Sequence, residues 1–315
     1  MTLSIWSTDR DGGQMIKDRF DFPENIRRVT GGAGSCECLL VLMKEKTILM
    51  ETGMAFDQKN LIANIKKEIT REGRSTIDYI TISHSHYDHI GGLPFVLDEW
   101  PGAKVVAAAK TKKVFASEGA RKTMKMLAQA AAVNFGAEPE EFRAEDLRVD
   151  VVVGDNDIID LGAGERLRVL ETKGHTTCSL TFILEPEKIM YSSESTGVMR
   201  KEGLLSSEII TSYNDAVESA EKCMAYRPKI LITPHYGVMP EDENLSFFIW
   251  FLIAAAKERD FILAAYDSTG SYEKTLDCFV EKYWSEEWTG GQPKEAFMEN
   301  ARYTVRNMLK ESGRI

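Results

Sequence analysis

Ten consecutive residues constrain this chain more than any other stretch: Ser83-His84-Ser85-His86-Tyr87-Asp88-His89-Ile90-Gly91-Gly92. Three imidazoles and a carboxylate fall within six positions, a crowding that core packing gives no reason to select. Imidazole and carboxylate are borderline-to-hard donors suited to Zn²⁺, Fe²⁺ or Mn²⁺. On an irregular loop, His84 and His86 can converge on one ion while Asp88 and His89 turn toward a second. Gly91 and Gly92 would permit a sharp exit into the next helix. The run Ile77 to Ile82 is short, apolar and β-branched, the pattern of a buried strand. The motif therefore sits on the loop that follows a strand.

The chain has five histidines, and the other two are placed alike. His175 lies in Lys173-Gly174-His175-Thr176-Thr177 and His235 in Thr233-Pro234-His235-Tyr236-Gly237. Each follows an expected strand and is flanked by turn residues, where an α/β sheet carries its site residues. The surrounding pattern is α/β, with strands and helices interleaved. Residues 39–50 read as two strands around a turn at Lys44-Glu45-Lys46, and residues 58–72 as a helix. Further strands are expected at 103–108, 149–153, 167–171, 180–184, 189–192 and 230–233. Residues 111–135 read as one long helix carrying Lys112, Lys113, Arg121, Lys122 and Lys125, inside an insertion of about 109–147. These cations form a solvated face or receive an anionic substrate tail. From 241 onward the pattern is helical, with Phe247, Phe248, Trp250 and Phe251 packing the helices onto the core or lining an apolar acyl pocket, and a turn at Gly290-Gly291-Gln292-Pro293.

Composition narrows the function classes. A net charge of −10 disfavours nucleic-acid binding, which needs a basic face. Cys36, Cys38, Cys178, Cys223 and Cys278 are odd in number and scattered, a poor disulfide framework. Cys36 and Cys38, two apart on an expected strand, read as packing groups. Cys178 falls near His175 without any arrangement that would activate it. The first ten residues show no secretory pattern, and no apolar run reaches membrane-spanning length. The expectation is a cytoplasmic protein acting on a small molecule, with no nucleic-acid or membrane partner. A homodimer is compatible with it.

The motif His84-x-His86-x-Asp88-His89 resembles the signature of the metallo-β-lactamase superfamily, and Gly174-His175-Thr176 resembles its second histidine motif. His235 stands where that family's last ligand follows its last strand. The resemblance covers roughly residues 30–240 and implies an αββα sandwich with a dinuclear site at one edge. It would assign His84, His86 and His175 to one metal, and Asp88, His89 and His235 to the other. The inserted helical segment and a C-terminal helical cap over 241–315 would be additions to a domain spanning 1–240. Two departures stand out. The family's bridging aspartate is replaced by Glu194 in Ser192-Ser193-Glu194-Ser195, and its Asp-Thr-Gly triplet reads Glu51-Thr52-Gly53. Glu194 is expected to ligate metal, the alternative being a hydrogen-bonding acid behind the ligands. Glu51 would orient a ligating histidine.

The presence of His89 points to the thioesterase, lactonase and phosphodiesterase branches, and the helical layout is similar to that of quinolone-signal-response thioesterases. The resemblance thus implies a metal-dependent hydrolase that attacks a thioester, ester or lactone carbonyl with a metal-bound hydroxide. Asp88 would orient the nucleophile and Tyr236 would donate to the oxyanion. Two divalent ions are expected, zinc first, with iron or manganese as alternatives. The competing readings are a phosphodiesterase on the same centre and an iron-containing redox or sensor protein.

Overall fold

The computed structural model describes residues 21–32, 34–199, 205–235, 237–284 and 294–315. Two six-stranded sheets carry the fold. The first runs β1 (Ile26–Arg28), β2 (Leu39–Leu42), β3 (Thr47–Met50), β4 (Tyr79–Thr81), β5 (Lys104–Ala108) and β6 (Val151–Val153), in that spatial order. The second contains β7 (Ile158–Gly162), β8 (Glu165–Glu171), β9 (Leu180–Glu185), β10 (Ile189–Tyr191), β13 (Ile230–Thr233) and β14 (Gly237–Val238), in the order β14-β13-β10-β9-β8-β7. A small ribbon of β11 (Val198–Met199) and β12 (Leu205–Ser206) stands apart.

The layering follows from the period-two geometry of strands whose two faces are both apolar. Leu39, Val41, Ile48, Met50, Val106 and Ala108 face the second sheet and share a core with Leu167, Val169, Leu180, Phe182, Tyr191 and Ile232. Their neighbours Leu40, Leu49, Ile80, Val105 and Ala107 point the other way. There they meet α1 (Gln58–Arg71) through Leu61, Ile65 and Ile69, and α3 (Leu93–Glu99) through Leu93 and Val96. The short α2 (Tyr87–Ile90) carries the centre of the histidine motif. On the far side, Leu170, Ile183, Met190 and Leu231 leave the second sheet toward α6 (Tyr213–Tyr226) and α7 (Asn244–Thr269). The result is the expected αββα sandwich.

The helices beyond residue 240 belong to that outer layer. Phe247, Phe248 and Phe251 of α7 are fully buried, together with Phe279 of α8 (Tyr272–Tyr283) and Val305 and Met308 of α9 (Lys294–Glu311). Each buried phenylalanine is worth about 1.5–3 kcal/mol, so the aromatic run is an anchor for α7. The described part of the C-terminal extension lies on the outer side of the second sheet. Of the expected turn at Gly290 to Pro293, nothing is described.

Several local expectations need correcting. The insertion is two helices, α4 (Ala109–Ala116) and α5 (Glu118–Asn134), not one. Ser117 leaves the helical region at φ −82°, ψ 118°, and its Oγ caps α5 by accepting from the Ala120 amide at 3.4 Å. Strands β1 and β7 were not expected, and residues 36–38 are not a strand. Gly91 and Gly92 have ordinary right-handed helical conformations. What requires glycine there is close approach: a Cβ would stand 2.4 Å from the Ala55 amide nitrogen at Gly91 and 2.3 Å from the Thr52 carbonyl oxygen at Gly92.

Candidate metal centre

Strands β3, β4 and β5 are mutually parallel, as are β10 and β13, with β8 in the same sense across the antiparallel β9. Every site residue follows the C-terminal end of one of these strands. Glu51 follows β3, His84 to His89 follow β4, His175 follows β8, Glu194 follows β10 and His235 follows β13. The two sheets thereby deliver their side chains to one edge of the sandwich.

There they converge on Glu194. Its Oε2 lies 2.7 Å from His175 Nε2 and 4.0 Å from His84 Nε2. Its Oε1 lies 2.8 Å from His235 Nε2 and 3.0 Å from His89 Nε2. Asp88 Oδ2 completes the second group, 3.6 Å from both His89 Nε2 and His235 Nε2. His86 Nδ1 completes the first, 3.0 Å from His175 Nε2. Two donor sets result, His84/His86/His175/Glu194 and Asp88/His89/His235/Glu194, each with its donor atoms within 4.8 Å of one another. All seven sequence-derived ligand candidates are in one of them, and Glu194 is in both.

This donor set fits a metal ion on its own terms. His84 is fully buried, yet its Nε2 has no hydrogen-bond partner among the described residues. An orphaned nitrogen of that kind costs about 1–3 kcal/mol unless something coordinates it. His84 and His86 are poised as neutral ligands. Burial, then His89 and His86, push the His84 imidazole well below its ordinary range. Burial, then His175, push His86 down to about 3. His89 is held the other way: burial would lower it, but Asp88, Glu194 and Glu51 outweigh that and raise it well above its usual value. His175 is likewise raised, Glu194 prevailing over burial. Glu194 itself, which burial would raise, is held well below the carboxylate range by His175, His235 and His89. Glu194 and the imidazoles of His175 and His89 thus each favour the charged form of the other.

Hydrogen bonds behind the donors fix which nitrogen faces inward. His89 turns Nδ1 to Glu51 Oε2 at 3.3 Å, while Glu51 Oε1 accepts from the Ser83 amide at 2.7 Å. Glu51 adopts a left-handed φ of 62°, uncommon for a residue with a side chain, and its carboxylate is fully buried beneath His89. His175 Nδ1 donates to the Glu208 carbonyl at 2.7 Å. Ser83 Oγ stands 3.1 Å from His84 Nδ1, and Ser195 Oγ accepts from the His175 amide at 3.0 Å.

Ser83, Ser195 and Glu208 were not anticipated from the sequence. The two serines adjoin predicted ligands, so proximity was a usable signal. Glu208 acts through its backbone carbonyl, which leaves no mark in side-chain chemistry. Tyr236 lies outside the described residues. Cys178 contacts Ser85 Oγ at 3.5 Å and Thr176 Oγ1 at 3.3 Å within the inter-sheet core. Cys36 lies close behind His89 and Glu51; burial first, then Cys38, push its thiol well up, consistent with a packing group.

Relatives and solved structures agree with this architecture. A metallo-beta-lactamase fold-containing protein of Sulfurisphaera tokodaii is 27% identical over 52% of this chain and 62% of its own length. A metal-dependent hydrolase of Aeropyrum pernix is 27% identical over 57% of this chain and 74% of its own length. A hydroxyacylglutathione hydrolase of a Synechococcus strain is 31% identical, over 32% of this chain and 28% of its own length. The chain therefore spans less than two thirds of the length of the first and third. The solved structure of a metallo-beta-lactamase family protein from Thermus thermophilus superposes with a TM-score of 0.63, at 15% identity, over 92% of this chain and 95% of that one. The family's sequence model matches residues 31–235, from just before the first core hairpin to the last histidine. This chain belongs to the metallo-beta-lactamase superfamily.

Proposed function

We propose that this chain is a metal-dependent hydrolase whose substrate is a thioester, ester or lactone. One observation carries the reading: a single buried carboxylate, Glu194, divides five imidazoles into two donor sets that share it. A pair of divalent ions held by those sets would lower the pKa of coordinated water and act as a Lewis acid toward a carbonyl oxygen. His84, His86, His175 and Glu194 would hold one ion; Asp88, His89, His235 and Glu194 the other. Zinc suits this nitrogen-rich set, with iron or manganese as alternatives.

The chain's own contribution follows from burial. His84, His89 and His175 form a closed wall, whereas Asp88 and His235 each keep 19% of their side-chain surface exposed. Substrate would approach from that rim. Asp88, the carboxylate at that rim, would orient the attacking water and receive its proton. Helix α5 of the insertion packs beside α2, which bears Asp88 and His89. Lys122, exposed on that helix, would be available to an anionic acyl thioester, whereas Lys125 is paired with Glu145 at 2.7 Å and Arg121 donates to the Phe115 carbonyl at 3.2 Å. The name of the Synechococcus relative is consistent with acyl hydrolysis. A phosphodiesterase on the same centre is the second reading, since two bridged ions also suit phosphorus.

The test is elemental analysis of protein purified without added metal, followed by a panel of acyl thioesters, lactones and bis-p-nitrophenyl phosphate. Two ions per chain, one per donor set, with turnover of a carbonyl substrate would support the proposal. Turnover of the phosphodiester alone would favour the second reading, and protein that takes up no metal would end both.

A further inference from the structure

We infer that the C-terminal helices position a metal ligand: α7 and α9 clamp residues 207–212 as a strap, and the strap sets the orientation of His175. The inference rests on the reading of His175 as a ligand. On its inner side the strap grips the His175 loop at two points. The Glu208 carbonyl accepts from His175 Nδ1 at 2.7 Å. The Gly174 carbonyl accepts from the amides of Ile210, Thr211 and Ser212 at 3.2, 2.8 and 3.3 Å, and from Thr211 Oγ1 at 3.0 Å. A carbonyl can only accept, so the first bond fixes the tautomer and leaves Nε2 free to face Glu194.

On its outer side the strap is held by polar groups of the C-terminal helices, of which Thr304 and Glu258 are buried. Thr304 Oγ1 of α9 donates to the Ile209 carbonyl at 2.7 Å, and Asn307 Nδ2 donates to the Ile210 carbonyl at 2.8 Å. Ser207 Oγ donates to Glu258 Oε2 of α7 at 2.7 Å. Glu311 of α9 accepts from the Tyr213 amide at 3.0 Å, where the strap enters α6. Between these anchors Glu208 is held at a φ of 48°, a left-handed conformation for a residue with a side chain. Such a conformation persists where the surroundings over-determine it. Two helices that lie on the outer face of the second sheet are thereby wired to a donor at its edge. Thr304 and Asn307 are positioning residues, acting through the strap.

Partners that orient a ligating histidine typically contribute 10–100-fold to metal affinity. The experiment is chelator competition with Zn²⁺ on the full chain, comparing wild type, Thr304→Val, Asn307→Leu, their double variant, Thr304→Ser and Met308→Ala. Met308 is buried on the same helix and serves as a control for lost packing. The double variant should bind one of its two ions about 10–100-fold more weakly and the other as before. Thr304→Ser should keep wild-type affinity, and Met308→Ala should lower thermal stability without changing either affinity. Co²⁺ substitution would show the same selectivity, as a changed visible spectrum for one of the two ions. Unchanged affinities in the double variant of a metal-binding wild type would overturn the strap while leaving the metal reading intact. Equal weakening by Met308→Ala would overturn it in favour of general loosening. A wild type that binds no metal would overturn both.

Discussion

Glu194→Asp is the substitution that most sharply tests the geometry of this centre. The resemblance to the family implies an aspartate at this point, so the change looks conservative. The structure says otherwise. Glu194 reaches His175 at 2.7 Å with one oxygen and His235 and His89 at 2.8 and 3.0 Å with the other. Removing a methylene withdraws the carboxylate by about 1.5 Å, whereas ligand distances tolerate about 0.2 Å. A charge-assisted contact of this kind is worth about 1.5–3 kcal/mol. If each ion loses one, its affinity falls by about 10–100-fold. The assay is metal content after gel filtration, followed by chelator competition, on wild type and variant side by side. Both ions should weaken together, because one carboxylate serves both donor sets. A variant that holds two ions as tightly as wild type would refute the reasoning, and would mean that the turn at Glu194–Thr196 moves to follow its side chain.

Further outcomes follow from the same contacts. Glu51→Gln replaces the carboxylate beneath His89 Nδ1 with a neutral amide and should weaken the His89 ion about 10-fold, sparing the His84/His86/His175 ion; chelator competition reads both. Gly174→Ala combines a φ of 132° with a Cβ placed 2.4 Å from that of Ala216, and should cost about 2–4 kcal/mol in urea unfolding. In metal-free protein, His86 titrates at about 3 when folded and near its ordinary 6.5 when unfolded. Its folded value is depressed, so the contribution of His86 to stability is constant above pH 6.5 and declines below it as the unfolded chain takes up a proton the folded one refuses. The loss is bounded by about 5 kcal/mol near pH 3 and is smaller to the extent that solvent reaches the ring. His86→Gln should therefore become relatively more stable than wild type between pH 7 and pH 4, measured by urea unfolding; a difference independent of pH would count against the assignment.

Much of the fold was legible because its strands are buried on both faces. Runs such as Leu39–Leu42, Thr47–Met50 and Leu180–Glu185 are continuous apolar segments bounded by turns, and the structure shows them in the sheets. Strand β7, Ile158–Gly162, escaped notice because it is an edge strand with mostly exposed or half-exposed residues, so it lacks that signal. The break at Ser117 escaped because helical periodicity carries across a single capping residue. Gly91 and Gly92 were noticed for the wrong reason: the sequence shows glycine, and only the packed structure shows the backbone pressed against Ala55 and Thr52.

The sequence by itself determined the donor types and their stations at strand ends, since ligand chemistry and strand pattern are both local properties of a few consecutive residues. The tertiary structure decided how the donors divide. Glu194 meets His89 across 105 residues of chain, and His175 meets His86 across 89. Which oxygen serves which imidazole depends on how the two sheets pack face to face and which strand ends they bring to one edge of the sandwich. The grip on His175 is more distant still, passing through the backbone of Glu208 to Thr304 and Asn307 near the end of the chain. A backbone carbonyl is the same in every residue, so only the folded chain reveals which one has become part of the site.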